Sequence, residues 1–329
     1  MSIQPRIVAI GGGGGATQVL KAMEPISPNL TAIIAVTDTG RSTGLARQIG
    51  DIPAPGDLRA TIAAFADDAQ MAALLQQRFD GRGVAQLEGM AFGNLMLAAM
   101  AQVTGDFASA VAEVAARSRA RIPIFPVTST NTQLCAELAD GTIVTGELQV
   151  RGHQKPPIKR VFLSSPAPAH PPALQAIREA DMVVIGPGSL FTTVLAALLT
   201  DGLAEALRET TAQVVYIANN TTQTGQTDQL RMIDHIERVV DLLGPGTLNT
   251  ALINQSPYDP VAMQPYEAEG LFLLQPDPSE IARVEALGVR AMVRELAEPI
   301  GQKRALWNKQ DTVRHNPAAI RAALVELLG

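Results

Sequence analysis

The sequence predicts an α/β fold, a doubly wound and mainly parallel sheet in a single domain over residues 1–329, with a small β-rich excursion at about 122–163. Three observations carry this reading. Short, β-branched apolar runs bounded by Gly, Pro or Asx alternate with longer stretches whose apolar residues recur at three and four positions. Strands that alternate with helices are parallel neighbours, because a parallel pair needs a crossover. Hydrophobic residues make up 47% of the chain and charged residues 18%, enough to build a large core and unlike a disordered chain.

The elements follow in order. A strand over 7–10 runs into five consecutive glycines and a short helix carrying Val19, Leu20 and Met23; a second strand covers 31–37. Ala, Leu and Met then dominate 58–66, 71–77, 94–101 and 108–117, which favours helix. Four strand-like pieces, 124–127, 136–138, 142–144 and 159–163, form the excursion, two of them joined by the hairpin signal Asp140-Gly141. Beyond a proline-rich run come a strand over 182–185, a helix over 190–199, a strand over 214–218 and a helix over 228–243. In that last helix Leu230, Ile233, Ile236, Val240 and Leu243 form one apolar stripe. A late strand over 271–274 and a helix over 317–328, opened by Pro317, complete the pattern.

Composition removes several function classes. With 26 Lys+Arg against 32 Asp+Glu, the net charge of -6 gives no basic field for nucleic acid, so any anionic ligand must be held locally. Cys135 is the only cysteine, which excludes an intrachain disulfide and a cysteine-based zinc site. The four histidines are scattered without metal spacing, and no Gly-x-Ser-x-Gly elbow is present. The start lacks the long apolar region of a secretory signal, and the two long uncharged stretches are broken by Gly93-Asn94 and by Gly186-Pro187-Gly188-Ser189. The expected location is the cytoplasm, without membrane insertion.

In a doubly wound sheet ligands bind beyond the carboxyl ends of the strands, so the loops there carry the functional signal. Gly12, Gly13, Gly14 and Gly15, with Thr17, lie between a strand and a helix, where the bare backbone and the helix N–H groups can cradle a phosphate. This is not a Walker A loop, since the Lys-Ser/Thr pair is missing. Gly11-x-Gly13-x-x-Ala16 does match the dinucleotide fingerprint, with Asp38 placed as a ribose-binding acid, so a nicotinamide-dependent oxidoreductase is one reading. The next loop, carrying Thr37, Asp38, Arg41, Ser42 and Thr43, is richer in hydroxyls and arginines than such a unit needs. Asp57 stands where a helix N-cap would, followed by Arg59, and Asn94 needs hydrogen-bond partners in an apolar stretch. Gly186, Gly188 and Ser189 repeat the strand, glycine turn and helix arrangement. The loop from Asn219 through Thr222 and Gln223 to Thr227 carries amides or hydroxyls at eight of nine positions, which suits a base or sugar better than proton transfer. Asp38 and Asp57 are the only carboxylates on these loops that could hold Mg²⁺.

Taken in order, these loops resemble the gluconeogenesis factor family (YvcK), a branch of the superfamily that includes the 2-phospholactate transferase CofD. The matching pieces span nearly the whole chain and include Asp140-Gly141 with Gly146-Glu147, Asp234-His235 and Arg314-His315. The resemblance implies a Rossmann-like α/β core and binding of nucleotide sugars, notably UDP-sugars such as UDP-N-acetylglucosamine, in the control of carbon metabolism, cell-wall synthesis and cell shape. The transferase branch implies a guanine nucleotide and Mg²⁺. Here the family's Asp-Asp-Gly-Gly-Ser-Ser-Gly stands as Asp38-Thr39-Gly40-Arg41-Ser42-Thr43-Gly44, so one carboxylate is lost and an arginine gained, and the Asn after its Asp-Ile-Arg is Ala60. That exchange favours diphosphate binding by charge over metal-assisted transfer.

The leading expectation is therefore a nucleotide-sugar-binding regulator, taking a nucleotide sugar or another nucleotide diphosphate and expected as a homodimer. No cofactor is needed for binding. Whether the protein is an enzyme stays open: the alternatives are a CofD-type transferase, for which Mg²⁺ at Asp38 and Asp57 would serve catalysis, and the oxidoreductase.

Overall fold

The computed structural model describes residues 4–299 and 312–329, with Arg41 described by its backbone alone. Strand β1 (Ile7–Gly11) leads into helix α1 (Gly13–Met23), and β2 (Leu30–Ile34) into α2 (Arg41–Gly50), α3 (Gly56–Phe65) and α4 (Ala69–Gln76). A hairpin of β3 (Arg78–Asp80) and β4 (Glu88–Ala91) precedes α5 (Phe92–Thr104) and α6 (Phe107–Arg117). Then come β5 (Ile124–Pro126), β6 (Leu134–Leu138), β7 (Ile143–Thr145), the short α7 (Glu147–Val150) and β8 (Ile158–Leu163). The rest of the chain supplies β9 (Met182–Ile185), β10 (Gln213–Ile217), β11 (Thr250–Asn254) and β12 (Arg290–Arg294), with helices between them and Pro317–Leu328 at the end.

The central sheet has seven strands in the order β12-β11-β10-β9-β1-β2-β5, and every neighbouring pair is parallel. From β1 the chain winds outward through β2 to β5, then returns to the other side of β1 and winds through β9 to β12. The winding reverses between β1 and β9. Helices cover both faces, so β1, β9 and β11 are buried at every position, as their continuous apolar sequences require. One core joins Ile10, Ile33, Val184 and Tyr216 of the sheet with Leu20 and Leu58 of the helices, and it also takes in Leu134, Ala136 and Ile158 from the excursion.

Several expectations change. The run around Ile124 is no part of the excursion; it pairs with β2 as the edge strand of the main sheet. The excursion is the antiparallel β7-β6-β8 sheet alone. Residues 271–274 form no strand of the sheet: Leu273 makes one isolated bridge to Thr221, and the far side is closed by β11 and β12. The helix expected from Asp228 begins at Met232, with His235 on its buried side. Among the described residues no helix is long and apolar enough to cross a membrane.

Candidate functional site at the switch point

The glycine run and the loop after β9 face each other where the winding reverses, the position at which doubly wound sheets bind ligands. None of Gly11 to Gly15 has a positive φ, so left-handed backbone does not explain the run. Close approach explains three of them. A Cβ on Gly15 would overlap the carbonyl oxygen of Pro187, one on Gly13 would lie 2.7 Å from the Asp57 carbonyl oxygen, and one on Gly12 would lie 2.8 Å from Asp57 Oδ2. Gly14 differs: a Cβ there would meet nothing within 4 Å. It lines a cleft of about 260 Å³ shared with Gly188, Ser189, Thr192 and Gln223. Helix α1 starts at Gly13 with no side chain capping it, so its first N–H groups are presented to that cleft with the positive end of the helix dipole.

The loop after β9 is braced by the amide-rich loop. Ser189 Oγ donates to Gln226 Oε1 at 2.8 Å and accepts from Thr192 Oγ1 at 2.9 Å, while Asn219 Nδ2 donates to the Gly188 carbonyl at 2.8 Å. Asn219 Oδ1 and Gln223 Oε1 are buried without a hydrogen-bond partner, as is Thr37 Oγ1. Buried acceptors of this kind call for donors from elsewhere. Thr222 serves the fold: its hydroxyl donates to the Gly270 carbonyl and accepts the Phe272 N–H. Thr17 likewise bonds Thr61 Oγ1 across to α3, at 3.1 Å.

A second lobe of about 180 Å³ lies beyond Asp57, lined by Asp38, Ser42, Thr43, Arg59, Arg78 and Asn94 among others. Asp57 and Arg151 line both lobes. Asp57 is not the helix cap that its position suggested: α3 begins at Gly56 behind Pro55, and Asp57 sits in the first turn with its carboxylate beside Gly12. Asn94 finds its partners within the protein, accepting from Arg59 Nε at 3.0 Å and donating to Ser42 Oγ at 2.9 Å; Ser42 in turn accepts the Ala91 N–H. Arg59 also donates to the Leu75 carbonyl and to Gln76. Burial, with Arg78 nearby, lowers its pKa to about 10, so it keeps its charge at neutral pH. Arg41 opens α2 at the mouth of this lobe; its side chain lies outside the described residues. The neighbouring Arg47 is structural, since it donates to the carbonyls of Thr37, Asp38 and Thr132 and to Asn131.

Three residues of the site escape a reading of the loops. Glu147 and Arg151 arrive on and just after α7, where Arg151 Nη1 lies 3.0 Å from Glu147 Oε1. Burial first, and the facing Asp38 second, push the Glu147 carboxyl up to about 7. Glu147 does carry a signal in the Gly146-Glu147 match; Arg151, and Arg78 on its three-residue strand, carry none.

A family model described as 2-phospho-L-lactate transferase CofD matches residues 7–297. The chain belongs to the CofD family. Within that family it is similar to proteins named gluconeogenesis factor: 36% identical over 97% of this chain and 95% of the Halalkalibacterium halodurans protein, and 33% identical over 100% and 99% for Bacillus subtilis. An X-ray crystal structure of a Bacillus halodurans protein superimposes with a TM-score of 0.87 at 34% identity, covering 98% of this chain and 100% of that one. The matched residues include Gly14, Gly188, Ser189, Thr192 and Gln223 of the cleft. The divalent-cation site expected at Asp38 and Asp57 fits poorly: Asp38 is turned to Glu147 and the Gly40 N–H, and among the described residues no three His, Cys, Asp or Glu gather as a metal would require.

Proposed function

We propose that the protein is a cytoplasmic nucleotide-sugar-binding regulator, taking UDP-sugar-type ligands and acting in carbon metabolism, cell-wall synthesis and cell shape. The observation that carries the reading is Gly14. Its neighbours Gly12, Gly13 and Gly15 are explained by packing, whereas Gly14 has open space over an uncapped helix N-terminus, which is what close passage of a phosphate needs. The diphosphate lies against Gly14 and the Gly188-Ser189 turn. The amide-rich loop brings Gln223 to this lobe, where its amide suits the N–H or O–H groups of the base or sugar. Relatives named gluconeogenesis factor support the metabolic assignment.

The transferase reading draws on the CofD family description but needs a cation that the carboxylates of this cleft receive poorly. A thermal-shift screen of UDP-sugars, GDP and NAD(P), each with and without Mg²⁺, separates the readings, since a ligand that binds the native state raises the midpoint. The proposal expects UDP-sugars to give the largest shift with or without Mg²⁺. A shift confined to NAD(P), or to GDP with Mg²⁺, contradicts it.

A further inference from the structure

The cleft has two lobes, and the nucleotide-sugar reading uses one of them. In the other, Arg59 is only 7% exposed, and its hydrogen bonds engage Nε and Nη1. Among the described residues its Nη2 makes no hydrogen bond, and the residue lines the lobe. Arg78 lines it too, and among the described residues its side chain holds the Gly89 carbonyl alone, through Nη1. Neither guanidinium makes a salt bridge among the described residues; Arg78 is near enough to disfavour the charge on Arg59, and Asp57 near enough to favour it. The repulsion between the buried Arg59 and the exposed Arg78, which Asp57 offsets in part, is relieved further by an anion bound between them.

The rest of the lobe suits an oxyanion. The N-termini of α2 and α3, both without side-chain caps, open on it at Gly40 and Gly56. Ala60 lines the lobe with a single methyl group and leaves room. The acids are Asp38 and Asp57; Asp38 is drawn to Glu147, and Asp57 stands at the wall toward Gly12.

We infer that this lobe is a second, separate anion site, walled by Arg59, Arg78 and Ala60, that takes a phosphate group while the nucleotide sugar occupies the Gly14 lobe. The donors converge from several directions, which matches a tetrahedral phosphate better than a planar carboxylate. Occupants of this chemistry are free phosphate and phosphate monoesters. The inference goes beyond the nucleotide-sugar reading and does not depend on it.

The test is calorimetric titration of inorganic phosphate into the full-length protein, alone and saturated with a UDP-sugar, on wild type, Arg78→Gln and Ala60→Glu. Arg78 is exposed and holds one backbone carbonyl, so Arg78→Gln keeps the fold, which circular dichroism checks. The expected results are saturable phosphate binding that persists beside the UDP-sugar, at least a tenfold loss in Arg78→Gln, and abolition in Ala60→Glu. UDP-sugar affinity should stay within twofold in both variants. Phosphate displaced competitively by the UDP-sugar overturns the second site, as does wild-type phosphate affinity in both variants. If UDP-sugars fail to bind at all, the nucleotide reading falls and the phosphate series still decides this one. Repeating the series with glycerol 3-phosphate identifies the occupant, an ester if it binds more tightly and free phosphate if it does not, and either supports the site.

Discussion

The carboxyl of Glu147 is hydrogen-bonded to the carboxyl of Asp38, which brings the excursion's short helix α7 against the loop after β2. The Thr39 hydroxyl, which accepts the Leu148 N–H at 3.2 Å, fastens the same junction. Burial and the half-buried Asp38 beside it favour the protonated form of the Glu147 carboxyl, and Arg151 partly offsets this. This junction roofs both lobes.

That pair makes stability depend on pH. The Glu147 carboxyl is raised from 4.5 to about 7 in the folded protein, so between those values the native state binds more protons than the unfolded one. Stability from this group therefore falls as pH rises from about 4.5 through 7. Glu147→Gln should remove that part of the slope and raise the melting midpoint at pH 8 relative to wild type, by scanning calorimetry. A variant that melts in parallel with wild type from pH 5 to 8 would show that the proton is not held at this pair.

Gly14 and Gly15 should behave oppositely despite being neighbours. Gly14→Val should fold and lose nucleotide-sugar binding. Gly15→Ala should lower stability, because the added Cβ meets the Pro187 carbonyl. Gly13→Val, which from sequence reads as another probe of binding, would drive its side chain into the Asp57 backbone and tests folding instead. Melting curves with and without a UDP-sugar separate the two effects.

Asn94→Ala should destabilise the protein by ~1–3 kcal/mol, since it strips a partner from the buried Arg59 Nε and from Ser42. Denaturant unfolding measures this. A change below ~0.5 kcal/mol would mean that the Arg59–Asn94–Ser42 chain does not hold the second lobe together.

How far the sequence reveals this molecule follows from where each signal resides. Strand β9 and the terminal helix Pro317–Leu328 coincide with their sequence boundaries, because a continuous β-branched run and a proline-opened apolar helix are local signals. Strand β12 is hidden, since Arg290 and Arg294 give an edge strand charged ends, and β3 is only three residues long. In the site the glycine turns are legible because phosphate cradles are built from contiguous backbone. Their individual roles are not: which glycine faces a ligand depends on Asp57 and Pro187, brought in from distant segments. Arg151 enters through tertiary packing of the excursion, which no pattern along the chain encodes, and Glu147 is legible in the Gly146-Glu147 match alone.

Cation dependence separates a binding protein from a transferase. With Arg151 and the uncapped N-terminus of α1 at the Gly14 lobe, nucleotide-sugar affinity should be unchanged by a chelator, and Asp38→Asn should retain binding. Affinity lost in chelator and restored by Mg²⁺ would assign the carboxylates to a metal.

The most direct measurement is a calorimetric titration of UDP-N-acetylglucosamine in chelator, with the ligand recovered and analysed by chromatography after long incubation with Mg²⁺. The account predicts saturable one-to-one binding to wild type, none to folded Gly14→Val, and unaltered ligand at the end. Equal affinity in Gly14→Val, or Mg²⁺-dependent conversion of the nucleotide sugar to product, would contradict it.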